Sequence, residues 1–271
     1  MEDEAAAFDT WSAGAAYEAY IGRWSRLVAR EFVRALAVPR DRSWLDVGCG
    51  SGALVDAIVD GAEPRHVMGV DGSRGFVRHA RAGSRGKTIT FQAGDARALP
   101  VREGSFDAVV SGLVLNFVAE PARMVAEMFR AARPGGRVAL YVWDYASGME
   151  LLRYFWNAAT ALDPTAARFD EGARFPICAP DPLRSLFEEA GLSGVATSAI
   201  VVPTTFRDLD DCWGPFLGGQ GPGPGYVVGL PEGARAALRE RLRSVLPMRA
   251  DGSIPLTARA WVVTGSRPPA R

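Results

Sequence analysis

At 271 residues the chain is long enough to bury a large core, and 48% hydrophobic with 23% charged residues excludes intrinsic disorder. Lys+Arg and Asp+Glu both total 31, a formal net charge of +0, so composition gives no electrostatic footprint for nucleic acid or an anionic membrane. The three cysteines (Cys49, Cys178, Cys212) and two histidines (His66, His79) stand at neither CxxC nor ligand spacing, and no metal site or disulfide framework is expected. The acidic residues 1–7 differ from a basic signal-peptide start, and no apolar run nears the roughly 18 residues that span a bilayer. The expectation is a soluble, cytoplasmic protein without a membrane partner.

In chain order, 15–37 reads as one or two helices with an apolar stripe of Tyr17, Tyr20, Trp24, Leu27, Val28 and Phe32. Strand-like runs follow at 43–47, 66–70, 88–92, 106–111 and 136–143, with helix-compatible stretches at 53–60, 73–82 and 121–132. The strands are nearly continuous in Val, Leu and Ile, which marks a parallel sheet buried on both faces, and right-handed crossovers make it doubly wound. Further on, 149–162 and 182–190 read as helices, the second with Asp181 as N-cap and Gly191 as C-cap, and 195–202 as a strand. Residues 207–230 are dense in glycine and proline and read as a loop; a charged helix at 232–245 and a strand at 258–264 close the chain. The last two strands are expected to finish the sheet as an antiparallel pair. The fold class is thus an α/β, mostly parallel Rossmann-like sheet with N-terminal helices and inserted lid elements. Its parts are a helical cap (1–40), a cofactor-binding core (41–147), and acceptor-pocket helices, lid and closing strands of the same domain (148–271).

The strongest signal is Trp44-Leu45-Asp46-Val47-Gly48-Cys49-Gly50-Ser51-Gly52, a buried strand running into alternating glycines and then a helix. Such a loop leaves backbone amides and a helix N-terminus facing a ligand. It lacks the terminal Gly-Lys-Ser/Thr of a phosphate-cradling loop, and its G-x-G-x-G spacing differs from the G-x-G-x-x-G of dinucleotide binders. Asp46 would repel a pyrophosphate and suits a cation better, such as S-adenosylmethionine with its sulfonium and ammonium. Asp71, 19 positions after Gly52, ends the next strand, where a carboxylate can accept both ribose hydroxyls or help cap the helix near Ser73. Asp95, in Gly94-Asp95-Ala96, follows the third strand and can accept from an adenine amino group.

These residues resemble class I S-adenosylmethionine-dependent methyltransferases, in the type 11 group that includes the ubiquinone/menaquinone-biosynthesis enzymes. The resemblance rests on Leu45–Gly52, Gly69-Val70-Asp71-Gly72-Ser73, Gly94-Asp95-Ala96, Ser105–Ser111 and Arg133-Pro134-Gly135-Gly136, and covers about residues 40–145. It implies that Gly48, Cys49, Gly50 and Ser51 line the methionine end of the cofactor, beside Asp46. Asp71, with Gly72 and Ser73, would take the ribose, Asp95 and Ala96 the adenine, and Ser111 the floor beneath the sulfonium. The segment Tyr20-Ile21-Gly22-Arg23-Trp24-Ser25 resembles one that closes over the cofactor, with Tyr20 at the site and Arg23 on the methionine carboxylate.

Methyl transfer from a sulfonium needs alignment and exclusion of water, and a base only where the acceptor must shed a proton. The sequence offers Asp144, just past the strand at 136–143, either as that base or as a loop cap. The aromatic second half, with Trp213-Gly214-Pro215-Phe216 and Tyr226 flanking the glycines, suggests a small, largely apolar acceptor under a mobile lid. The expected function is methyl transfer to such a metabolite. The alternatives are a protein or nucleic-acid acceptor, or a non-catalytic cofactor-binding module.

Overall fold

The computed structural model describes residues 22–84, 86, 88–219 and 221–269, and leaves the side chain of Arg23 aside. The helices and strands divide between two compact units. One unit holds Ser25–Val142, Ile177–Ile200 and the chain from Ala260; the other holds Trp143–Pro176, Val201–Arg259 and the start of the first helix.

The first unit carries the sheet. Helix α1 (Arg23–Leu36) leads into β1 (Ser43–Val47), α2 (Ala53–Ala62), β2 (His66–Asp71), α3 (Arg74–Gly83), β3 (Ile89–Ala93) and β4 (Phe106–Gly112). A 3₁₀ turn (Leu115–Phe117), α4 (Pro121–Ala131) and β5 (Ala132–Trp143) follow, and α7 (Pro180–Glu189), β6 (Ser193–Pro203) and β7 (Thr257–Ser266) complete it. The seven strands run in the order β3-β2-β1-β4-β5-β7-β6. β1 pairs in parallel with β2 (Asp46 opposite Gly69) and with β4 (Asp46 opposite Val110), so the first half reverses direction of winding at β1. The last strand runs antiparallel: the Gly135 N–H donates to Arg267 O (2.8 Å), and the Arg267 N–H returns to Gly136 O (2.9 Å).

The strands form where they do because apolar residues fill both faces. Trp44, Leu45, Val109, Val110, Val138 and Ala139 are wholly or almost wholly inaccessible, as a sheet covered by helices on both sides requires. Helix α4 starts at Pro121, whose missing N–H costs nothing at the first helical position, and buries Met124, Val125, Met128 and Ala131, one helical stripe. Helix α3 is capped by Ser73 Oγ, which accepts the Phe76 N–H at 3.3 Å. Arg267 ties the last strand back, donating to the carbonyls of Arg130 (2.9 Å) and Ala132 (3.0 Å) and pairing with Glu103.

The second unit is helical. It contains α5 (Glu150–Leu162), a 3₁₀ turn (Pro164–Phe169), α6 (Glu171–Arg174), α8 (Leu209–Trp213), a 3₁₀ turn (Gly214–Gly218), α9 (Pro222–Gly229) and α10 (Glu232–Val245). Here the expectation of a loop over 207–230 is corrected, because most of it is helical. In α9 both prolines fall in the first turn, where an N–H has no intrahelical partner, and the glycine after each lets the turn bury Pro222 to Gly225. The aromatic residues interlock. Phe155 stacks on Phe216 (4.3 Å between centroids, 10° between planes), and Tyr226 lies against Trp156 (5.8 Å) and Phe169 (5.7 Å). These rings form a small core, not the anchors of an open flap.

Among the described residues no helix is long and apolar enough to cross a membrane.

Candidate cofactor site

The site is built at the carboxyl ends of β1, β2, β3 and β4. A crevice of about 700 Å³ there is lined by Gly48, Val70, Asp71, Gly72, Asp95 and Ala96, with Arg74, Arg97, Val114, Phe117 and Val118 also on its walls. This places it where open α/β sheets take ligands, beside the strand at which winding reverses.

The glycine loop turns on positive φ at Gly48 (+77°), Gly50 (+52°) and Gly52 (+96°). The first two glycines do different work. A Cβ at Gly48 would lie 2.5 Å from Val114 Cγ2, so Gly48 is required for packing, whereas at Gly50 nothing stands within 4 Å. Gly52 is the N-cap of α2 and brings no side chain to that terminus, leaving the first-turn amides to other partners.

Asp71 joins the loop to α3. One carboxylate oxygen accepts the Gly50 N–H (2.9 Å) and the other the Ser73 N–H (2.7 Å). These two bonds do not take Asp71 off the crevice wall, which the half-buried residue also lines. Asp95 accepts the Arg97 N–H (2.8 Å) and is gripped by the Arg97 guanidinium (Nη2 at 2.8 Å), which also reaches Glu120 (3.1 Å). Hydrogen bonds from Arg97 hold the Asp95 carboxyl down at about 2.

Asp46 lies beneath the loop and not on the crevice wall. It is 1% exposed, and both its oxygens are buried without a hydrogen-bond partner among the described residues. Burial first, then the charge of Asp71, pushes its carboxyl up to about 8. Cys49 is buried as well, and burial followed by Asp46 and Asp71 raises its thiol. Ser111 is 1% exposed and donates its hydroxyl to Val47 O (2.7 Å), tying β4 to β1; it does not line the crevice. Ser51 is half-buried in the loop. Tyr20 falls outside the described residues, and Arg23 is placed only as the first residue of α1.

Asp144 belongs to the other unit. It is 2% exposed, accepts the Ser147 N–H (3.1 Å) and Ser147 Oγ (3.1 Å), and pairs with Arg259 Nε (2.7 Å). A carboxylate so engaged holds a turn.

Val114, Phe117, Val118, Arg74 and Arg97 were not among the residues singled out in the sequence. Their signal was only positional, the segment after each strand end, with nothing to say which residues face inward. Leu113, at φ +63°, turns the chain so that Val114 covers Gly48.

Comparison with known proteins agrees with this architecture. A family model described as a methyltransferase domain matches residues 45–140. A demethylmenaquinone methyltransferase of Roseiflexus castenholzii is 34% identical over 165 residues, 56% of this chain and 68% of that protein. The chain belongs to the class I S-adenosylmethionine-dependent methyltransferases. A demethylmenaquinone methyltransferase of Renibacterium salmoninarum is 40% identical over 119 residues, 44% of this chain and 46% of that one. The chain spans about half the length of several curated relatives it matches. Among solved structures, a phosphoethanolamine N-methyltransferase 2 of Haemonchus contortus in complex with S-adenosyl-L-methionine covers 90% of this chain and 52% of its own. Its TM-score is 0.54 at 14% identity, so what the two share is the fold.

The cofactor of these methyltransferases is S-adenosylmethionine, and the residues present fit it. The crevice has the volume of a ligand pocket, a strand-end carboxylate stands beside an uncapped helix N-terminus, and an orphaned carboxyl lies under the loop.

Proposed function

We propose that this chain transfers the methyl group of S-adenosylmethionine to a small, largely apolar acceptor of the quinol type. The observation that carries the reading is Asp71, which bonds the Gly50 amide and lines one crevice with Gly48 and Asp95. The names of the relatives support the acceptor class. The neutral formal charge favours a metabolite over a nucleic acid.

When bound, S-adenosylmethionine supplies a methyl group on a sulfonium whose departure needs no proton. On this reading Asp71 accepts the ribose hydroxyls and Asp95 the adenine amino group, while Ala96 offers its N–H to the ring. The loop from Gly48 to Ser51 takes the methionine end, where α2 turns its first amides toward the carboxylate. Val114, Phe117 and Val118 keep water from that end. Asp144 keeps the turn after β5 in place by its pairing with Arg259 and is not the base, so the acceptor is one that ionises in water or on contact with the site.

The test has two stages. Calorimetry with S-adenosylhomocysteine is expected to show one site, lost in Asp71→Ala. Incubation with S-adenosylmethionine and a prenylated 1,4-naphthoquinol is expected to yield a product with a methyl in place of a ring hydrogen, heavier by one CH2, the displaced proton going to solvent. Failure to bind either form of the cofactor would refute the reading; binding without turnover on any quinol would refute the acceptor class.

A further inference from the structure

We propose that Asp46 couples cofactor binding to the loss of a proton, neutral in the ligand-free protein and ionised once a cationic methionine end settles over the loop. This rests on the reading of the crevice as the S-adenosylmethionine site.

Among the described residues two other carboxyl groups are almost as deeply buried, and each has a strong donor: Asp144 has Arg259, and Glu171 has the Trp156 indole N–H (2.5 Å). Asp46 has none. Its register partners are Gly69 on β2 and Val110 on β4, which bring no polar side chain. Next along β4, Ser111 spends its hydroxyl on Val47 O. The charge that acts on Asp46 is Asp71, at the end of β2, an anion that raises it further; Cys49, in the loop, is itself raised by Asp46 and Asp71 and brings no positive charge. An unpaired carboxylate in such a place is held in its neutral form by desolvation. Burial and Asp71 together put its carboxyl at about 8.

Asp46 is also two residues from Gly48, a wall of the crevice. A sulfonium and an ammonium arriving over the loop act on Asp46 through a low-dielectric interior and are the counter-charge it lacks. The proton leaves as the cation arrives, and the carboxylate stays buried with its charge balanced. With the carboxyl at about 8, roughly 0.9 of a proton is bound at about pH 7 and available for release. The α-ammonium of the ligand, ordinarily near about 8, contributes a small uptake of the opposite sign. A variant without the carboxyl separates the two.

Calorimetric titration with S-adenosylmethionine, in buffers of differing ionisation enthalpy, counts the protons exchanged. At about pH 7 wild type is expected to release roughly 0.9 proton more than Asp46→Asn. Its affinity, relative to that variant, should rise about tenfold per pH unit between about pH 6 and about pH 8 and level off above. Equal proton counts in the two proteins would overturn the inference. If Asp46→Asn does not fold, the wild-type series decides alone, and an affinity flat across that range overturns the inference. Wild type binding neither S-adenosylmethionine nor S-adenosylhomocysteine at any pH would bring down the proposed function itself; tight binding without the pH slope brings down only the role of Asp46.

Discussion

Replacing Gly48 and Gly50 separately by alanine tests whether the loop's glycines are split between packing and ligand access. At Gly48 (φ +77°) an alanine meets two costs. A left-handed backbone costs an L-residue about 1–2 kcal/mol. The new methyl, 2.5 Å from Val114 Cγ2 and 2.6 Å from Cγ1, adds overpacking of about 1–3 kcal/mol. The sum is roughly 2–5 kcal/mol, or a Tm lowered by about 5–15 °C for a chain of this size. At Gly50 (φ +52°) only the backbone cost of about 1–2 kcal/mol applies, since nothing lies within 4 Å of its Cβ. That methyl instead enters the space beside the amide bonded to Asp71, and S-adenosylhomocysteine affinity is expected to fall at least about tenfold, or about 1.4 kcal/mol. Differential scanning calorimetry with binding isotherms measures both effects. In a double-mutant cycle, Val114→Ala should recover about 1 kcal/mol or more of the Gly48→Ala loss. Equal Tm values for the two alanine variants, with no coupling to Val114, would refute the division of roles.

Glu171 gives a pH-dependent stability. Burial, outweighing the Trp156 hydrogen bond, raises its carboxyl from 4.5 to about 7. The folded group therefore holds its proton more tightly than the unfolded one. Its contribution is fully present below about pH 4.5 and lost as pH rises to about 7, on the order of 3 kcal/mol in all. Glu171→Gln should remove that part of the Tm–pH slope, and an unchanged slope would contradict it. Arg259→Ala takes the guanidinium away from the almost fully buried Asp144, and is expected to cost about 3 kcal/mol in denaturant unfolding. Asp144→Asn, if the carboxylate is not a base, should retain turnover within about tenfold; a loss of about 10³ would restore it to the chemistry. Arg97→Ala releases the Asp95 carboxylate, and the preference for S-adenosylhomocysteine over its inosine analogue should narrow several-fold, read by competition binding.

Local chemistry made much of the first unit legible. β1 was expected at 43–47 and lies there, and β2, β3 and β4 differ from expectation by a residue or two at their ends, because continuous Val, Leu and Ile between glycine turns admit little else. β5 begins four residues before its expected start, since Arg133-Pro134-Gly135-Gly136 pairs as strand although its residues favour turns. Asp71 and Asp95 were singled out by their spacing, and both line the crevice, because a strand end fixes where its next side chain points. The sequence could not show that Asp46 stands behind the wall and not on it, nor that Ser111 turns its hydroxyl to Val47, since period two leaves both faces of a doubly covered strand apolar.

What the sequence determined by itself is the sheet's first half, its glycine loop and the family of its ligand, all set by interactions within a strand, a turn or a helix cap. The tertiary structure decided the rest: that Pro222–Gly229 packs as a helix, that Asp144 is matched to Arg259, 115 residues away, and that Asp46 finds no hydrogen-bond partner among the described residues. Burial and pairing between residues far apart in the chain set those outcomes, and neither leaves a periodic trace along the sequence.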